Sequence, residues 1–224
     1  MSRLAMAALY ALAVAAMALS ILRLVIWRSS RPESALGRAA TFEDGARVRA
    51  LARTTRTART GAALDAPDAS GFTALDWAAR NGRVEAIQAL VAAGAGVEAR
   101  DSGPNGWTPL IHAVHKRQPA AARALLAAGA DPNARARNGN VPLLDAAIRG
   151  DLALVEMLLA AGADPLVRNN GRTALTNAVA GGNPAVVRAL RRRAPALRLR
   201  NTLWDHLAVW IARLSGHGDA VAAL

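Results

Sequence analysis

The chain has 224 residues, enough for one sizeable domain with or without a terminal appendage, and no cysteine, which excludes a disulfide framework and thiolate chemistry. Its net charge of +12 is carried by arginine, with Lys116 as the single lysine. Such a balance favours anionic partners such as lipid head groups, nucleic acid or acidic protein surfaces, although an Ala-rich, Arg-for-Lys composition is also what a GC-rich genome produces.

The segment "LAMAALYALAVAAMALSIL", Leu4 to Leu22, is nineteen residues without a charge. Continued to Trp27 it is about 36 Å long as a helix, against roughly 30 Å of bilayer hydrocarbon. Arg23 lies one turn from that end, where it can snorkel, and Trp27 sits where an interfacial aromatic belongs. A single transmembrane helix over residues 4–27 and a linker over 28–33 are predicted. A cleaved signal sequence competes, with Arg3 as its basic start and "AMA", Ala16 to Ala18, as a small-x-small site. Cleavage there would leave the apolar "LSILRLVIW" as the new N-terminus, which argues for an uncleaved anchor. Arg23, Arg28, Arg31 and Arg38 follow the segment, and Arg3 and the α-amine precede it, so the repeat domain is expected on the cytoplasmic side of an inner membrane.

The remainder is self-similar. Four segments align, starting "GFTALDWAARNG" at Gly71, "GWTPLIHAVHKR" at Gly106, "GNVPLLDAAIRG" at Gly139 and "GRTALTNAVAGG" at Gly171, with leading glycines 35, 33 and 32 residues apart. In the first three, Gly94, Gly129 and Gly162 each fall 23 residues after the leading glycine, and Ala194 holds that place in the fourth. A further copy, "SALGRAATFEDGARVRAL" from Ser34, aligns with the stretch from Thr73. The units run over about 34–70, 71–105, 106–138, 139–170 and 171–200, with a degenerate cap over 201–224.

Each unit reads as two helices. Thr73, Thr108 and Thr173 are N-caps, with Asp76 and Thr176 at the third helical position as partial capping boxes. Pro109 and Pro142 take the first helical position, where a missing N–H costs nothing. Leu75, Ala78 and Ala79 form a narrow face of small residues that lets helices approach closely, and Asn81-Gly82 and Arg149-Gly150 turn the chain. Second helices pack through positions such as Val84, Ile87, Leu90 and Val91. Gly94, Gly129 and Gly162 are expected at positive φ, and turn-rich connectors follow.

This arrangement resembles the ankyrin-repeat family, whose pattern G-x-T-P-L-H-x-A-A, then G, V-x-x-L-L and G-A-D recurs in several copies. The resemblance covers about Ser34 to Pro195 well and the C-terminal stretch poorly. It implies an all-α solenoid of helix-turn-helix units, here of bacterial type behind an N-terminal anchor, whose stacked units share one core and need capped ends. It also implies a non-enzymatic, monomeric protein-binding module without a cofactor. The histidine of the pattern is replaced by Asp76, Ile111, Leu144 and Thr176, so its inter-repeat hydrogen bond is expected to be missing. Trp204 and Trp210 are expected to cover the last hydrophobic face.

His112 and His115, three apart, raise a metal or acid/base question. A zinc site needs three or four ligands, and the matching slots supply Asp145 but no third histidine and no cysteine. No nucleophile or orienting group recurs nearby, and no phosphate loop stands between a strand and a helix. The resemblance instead places Trp77, Arg80, His112, His115, Lys116, Asp145, Arg149 and Asn177 along a concave binding face. Phe72 and Trp107, in the variable slot after the leading glycine, read equally as contact anchors or as packing between connectors. "DSGPNG", Asp101 to Gly106, belongs to a connector two residues longer than its counterpart and is expected to protrude.

Two basic clusters remain. Arg47, Arg49, Arg53, Arg56 and Arg59 lie near the anchor and suit anionic lipid. Arg188, Arg191, Arg192, Arg193, Arg198 and Arg200 form the second, in which Arg191 to Arg193 end a helix, where cations suit the dipole. No stacking pattern or reading motif accompanies them, which argues against nucleic acid. The expected function is protein recognition by a membrane-tethered solenoid. The alternatives are an exported periplasmic protein that protects or inhibits an enzyme or toxin, and arginine-mediated binding to anionic lipid or nucleic acid.

Overall fold

The computed structural model describes residues 34–42, 45–57, 64–194 and 203–224. The expected membrane helix over 4–27, the linker over 28–33 and Arg59 lie outside the described residues, as do the side chains of Arg56 and Trp204. Among the described residues no helix is long and apolar enough to cross a membrane.

The described helices come in pairs. They are α1 (Ala35–Phe42) with α2 (Gly45–Thr57), α3 (Ala74–Arg80) with α4 (Val84–Ala92), and α5 (Pro109–His115) with α6 (Pro119–Ala127). Then follow α7 (Pro142–Ile148) with α8 (Leu152–Ala160), α9 (Ala174–Ala180) with α10 (Pro184–Arg193), and α11 (Leu203–Leu214) with α12 (Gly218–Ala222). The first helices α1, α3, α5, α7, α9 and α11 stack in that order, and the second helices α2 to α12 stack beside them in the same order. Every pair therefore contacts its sequence neighbours, which is the one-dimensional build of a solenoid.

Local chemistry sets the helix ends. Thr73 Oγ1 accepts from the Asp76 N–H at 3.1 Å, and Asp76 Oδ2 accepts from the Thr73 N–H at 2.9 Å, a complete capping box at α3. Thr173 and Thr176 repeat it at α9, and Thr108 caps α5. Ser34 Oγ accepts from the Gly37 N–H at 2.9 Å, so α1 starts as the alignment with Thr73 predicts. Two caps were not read from the sequence: Asp151 opens α8 and Asn183 opens α10. Gly94, Gly129 and Gly162 lie at φ 97°, 91° and 92°, the left-handed geometry expected just past the second helices.

Leu75, Leu110, Leu143 and Leu175, each at most 1 % exposed, form one ladder through the core, each contributing about 1.5–3 kcal/mol by burial. Ala78, Ala79, Ala113, Ala146, Ala147 and Ala178 are fully buried between first helices, whose small side chains permit close stacking. Ile87, Leu90, Leu125, Leu154, Leu158, Val187 and Leu190 extend the core to the second helices.

Four features depart from expectation. The connector before α9 contains two short strands, β1 (Arg168–Asn169) and β2 (Arg172–Thr173), paired antiparallel. Their turn is Asn170-Gly171, both at positive φ (48° and 78°), the dipeptide that favours a tight hairpin. The histidine slot does retain one inter-repeat hydrogen bond, because Thr176 Oγ1 donates to Asp205 Oδ1 at 3.0 Å. Trp210 does not cover the terminal face: it is 59 % exposed, while Ala208 and Ala212 make the buried contact of α11. The "DSGPNG" connector is tied down on both sides. The Ser102 N–H donates to the Gly71 carbonyl at 2.8 Å, and Arg137 donates to the carbonyls of Asn105 (2.7 Å) and Gly103 (2.8 Å).

Candidate partner-binding face

The first helices α3, α5, α7 and α9 are buried along almost their whole length, and connector side chains hold the first two of them from outside. Asp68 receives the N–H groups of Ser70 and Phe72 on one carboxylate oxygen and the Trp77 indole N–H, at 2.9 Å, on the other. Asp101 receives the Gly103 N–H at 3.1 Å and His112 Nε2–H at 2.8 Å. Trp77 and His112 hold the same repeat slot and do the same work, pinning a connector to its own helix. The offset from aspartate to ring donor is two residues longer in the second case because the connector is two residues longer.

This pinning corrects the expected concave surface. Trp77 and His112 are 2 % and 1 % exposed, so neither ring presents area to a partner. Asn177 is also buried, and its Nδ2 donates to the Leu144 carbonyl of the preceding repeat at 2.9 Å. Asp145 is buried and accepts from Arg149 Nε at 2.7 Å. The partly or fully exposed residues of the set are Phe72, Arg80, Trp107, His115, Lys116 and Arg149. They gather where α3, α5 and α7 end.

The rings form a continuous row. Trp77 meets Phe72 at 5.1 Å, Phe72 meets His112 at 5.2 Å, His112 meets Trp107 at 5.2 Å, and Trp107 meets His115 at 4.5 Å. Such contacts contribute about 0.5–1.5 kcal/mol each beyond area burial, and Phe72 and Trp107 are packed against ring side chains of α3 and α5 while remaining partly exposed. Arg80 lies over the Phe72 ring at 4.5 Å and reaches His112 Nδ1 at 3.4 Å.

The protonation states follow from these neighbours. Burial, and then Arg80, push His112 below the usual histidine value, so the ring is neutral, donates from Nε2 and accepts at Nδ1. Burial lowers His115 as well, and its Nδ1 accepts from Arg149 Nη2 at 2.6 Å. That nitrogen cannot also donate to Asp145, 3.4 Å away, and the shorter contact selects the acceptor form. Asp76 moves the other way: burial raises it to about 7 against the pull of its Thr73 hydrogen bonds, and its Oδ1 has no hydrogen-bond partner among the described residues.

The arginine clusters stand apart from this face. Arg53 is exposed on α2. Arg191, Arg192 and Arg193 are exposed at the end of α10, where Arg192 faces Glu156 at 3.7 Å and Arg191 donates to the Ala223 carbonyl at 3.3 Å. Among the described residues no group of three or more histidine, cysteine or acidic side chains is placed to hold a metal ion.

Paired helices, hairpin-like connectors and stacked neighbours define a helical-repeat solenoid. A family model described as ankyrin repeats (3 copies) matches residues 68–136 and 95–169. Ankyrin repeats support a protein–protein interaction module in general. A comparison with curated proteins gave no match to the chain.

Proposed function

We propose that the chain is a protein-recognition module that engages its partner where successive first helices end, through Phe72, Arg80, Trp107, His115, Lys116 and Arg149. The observation that carries this reading is the ring row. Large aromatics held rigidly by their neighbours, yet partly exposed beside cations, are the residue types and the setting that concentrate binding energy at interfaces. Trp77, His112, Asp145 and Asn177 support that face from behind by fixing connectors and helix ends. The N-terminal apolar segment would hold the module at a membrane, with the repeats on the cytoplasmic side.

Photo-crosslinking in the source cells tests the face. A photoreactive phenylalanine analogue in place of Trp107 should give a discrete protein adduct, and the same group in place of Gln88, exposed on α4, should not. Equal adducts from both sites would sink the assignment. Membrane fractionation with N-terminal sequencing tests the tether, and a mature chain starting near Leu19 would replace it with export.

A further inference from the structure

Three cations lie in succession where the first helices end. Arg80 is the last residue of α3, and Lys116 and Arg149 are the C-caps of α5 and α7. Their nearness shows in two contacts to α5, the helix that Lys116 caps: Arg80 reaches His112 Nδ1 at 3.4 Å and Arg149 reaches His115 Nδ1 at 2.6 Å. Among the described residues Arg80 makes no ion pair, and Lys116 makes neither an ion pair nor a hydrogen bond. Of the carboxylates beside the row, Asp145 is occupied by Arg149 at 2.7 Å and Asp101 by His112 at 2.8 Å, and both are buried. With those carboxylates buried, the charges that the row presents to solvent are the three cations.

Building on the recognition face proposed above, we infer that this row binds an acidic peptide segment in an extended, polyproline-II-like form, with a carboxylate at every third residue. The spacing argues for that form. Packed helices lie about 8–10 Å apart, so cations on successive first helices repeat at about that distance. A polyproline-II chain has three residues per turn and about 3.1 Å of rise per residue, so every third side chain returns to one face after about 9 Å. Phe72, beneath Arg80, and Trp107, against His115, add partly exposed aromatic rings beside the cations, the type of wall against which such helices dock. Arg80 is preorganised, since its guanidinium is held on the Phe72 ring.

Duplex nucleic acid fits less well. It carries a charge every ~1.7 Å along its axis and calls for a denser cationic surface without the Asp145 carboxylate. A flat lipid surface would not reach Arg80, which is half-buried against Phe72, Trp77 and His112.

The test uses the full chain in detergent micelles and fluorescence anisotropy. The probes are labelled (Glu-Pro-Pro) and (Gln-Pro-Pro) repeat peptides, a labelled oligothymidylate, and anionic vesicles in a flotation assay. The glutamate peptide should bind at least about tenfold more tightly than the glutamine peptide, and high salt should weaken it. Arg80→Ala and Lys116→Glu should each weaken it about tenfold or more. Lys116 is exposed, so its variant keeps the fold, which circular dichroism checks. Equal affinity for both peptides, no glutamate-peptide binding, no effect of Lys116→Glu, or tighter binding to the oligonucleotide or vesicles would each overturn the inference. The crosslink from position 107 is read separately. An adduct there without a glutamate preference removes only the acidic partner, whereas no adduct removes the face itself.

Discussion

His112 Nε2 lies 2.8 Å from Asp101 Oδ2, with both residues buried. The pair joins a first helix to its own connector, and the other ring nitrogen meets Arg80 of the preceding repeat. One side chain thus links two repeats and a loop, and its ring stays buried.

His112→Ala is therefore expected to act on stability. It leaves the Asp101 carboxylate buried with its Gly103 N–H but without its ring donor, and it removes two ring contacts. The expected loss is about 2–3 kcal/mol in urea unfolding. Asp101→Ala should cost a similar amount, and the double variant less than the sum because the two share one interaction. Additive losses would mean that the pair is not coupled.

Asp76 predicts a pH effect of specific sign. Its folded-state value is raised to about 7 from the usual 3.8, so between those values the folded chain holds a proton that the unfolded chain has released. Its contribution to stability is fully present below about pH 4 and is lost as pH rises to about 7. His112, lowered by burial, works in the opposite sense: the unfolded chain takes up the proton that the folded ring refuses, so its contribution is lost as pH falls below the ordinary histidine value. The two slopes oppose each other in the native chain. Asp76→Asn exposes the acid's share. Relative to the native protein, the variant should gain about 1.4 kcal/mol per pH unit between pH 4 and 7, measured by chemical unfolding. A pH-independent difference would contradict the raised value.

The repeat architecture was legible because period, capping and glycine positions are local signals. Thr73, Pro109 and Gly94 announce helix ends whatever surrounds them. The face was less legible because exposure depends on where the connectors lie. Helical spacing places His112 and His115 on one side of α5, but whether that side meets solvent is decided by Asp101, eleven residues upstream. Asp68 before Trp77 carried the clue, a connector carboxylate preceding a ring donor in two consecutive repeats. The missing histidine of the repeat pattern misled in the opposite direction, since Thr176 hydrogen-bonds to Asp205 from the same slot. Asn170-Gly171 carried a hairpin signal hidden inside a helical repeat.

Arg117 offers a stabilising change. It lies at φ 54° in the slot that Gly82, Gly150 and Gly182 fill in the other repeats at 69°, 67° and 70°. A side chain in this left-handed conformation costs roughly 1–2 kcal/mol. Against that gain, replacement by glycine removes an exposed hydrogen bond from the guanidinium to the Arg149 carbonyl. Arg117→Gly should therefore stabilise the chain by about 1 kcal/mol and raise the unfolding midpoint by about 2–4 °C. A fall in midpoint would show that the bond to Arg149 outweighs the backbone strain.

Two tryptophans separate core from surface. Trp77 is 2 % exposed, meets Phe72 and donates to Asp68, so Trp77→Ala should cost about 3–5 kcal/mol. Trp210 is 59 % exposed, and Leu214 one turn further along α11 is 67 % exposed. Trp210→Ala should cost less than about 1 kcal/mol, because a side chain that remains mostly in water has little burial to lose. The buried surface of α11 is made by Ala208 and Ala212, at 3 % and 0 % exposed. Ala212→Asp, which places a charge at that contact, should instead detach the terminal pair, visible as faster proteolysis after α10 with the earlier repeats still folded. A Trp210→Ala loss as large as that of Trp77→Ala would place Trp210 in the core after all.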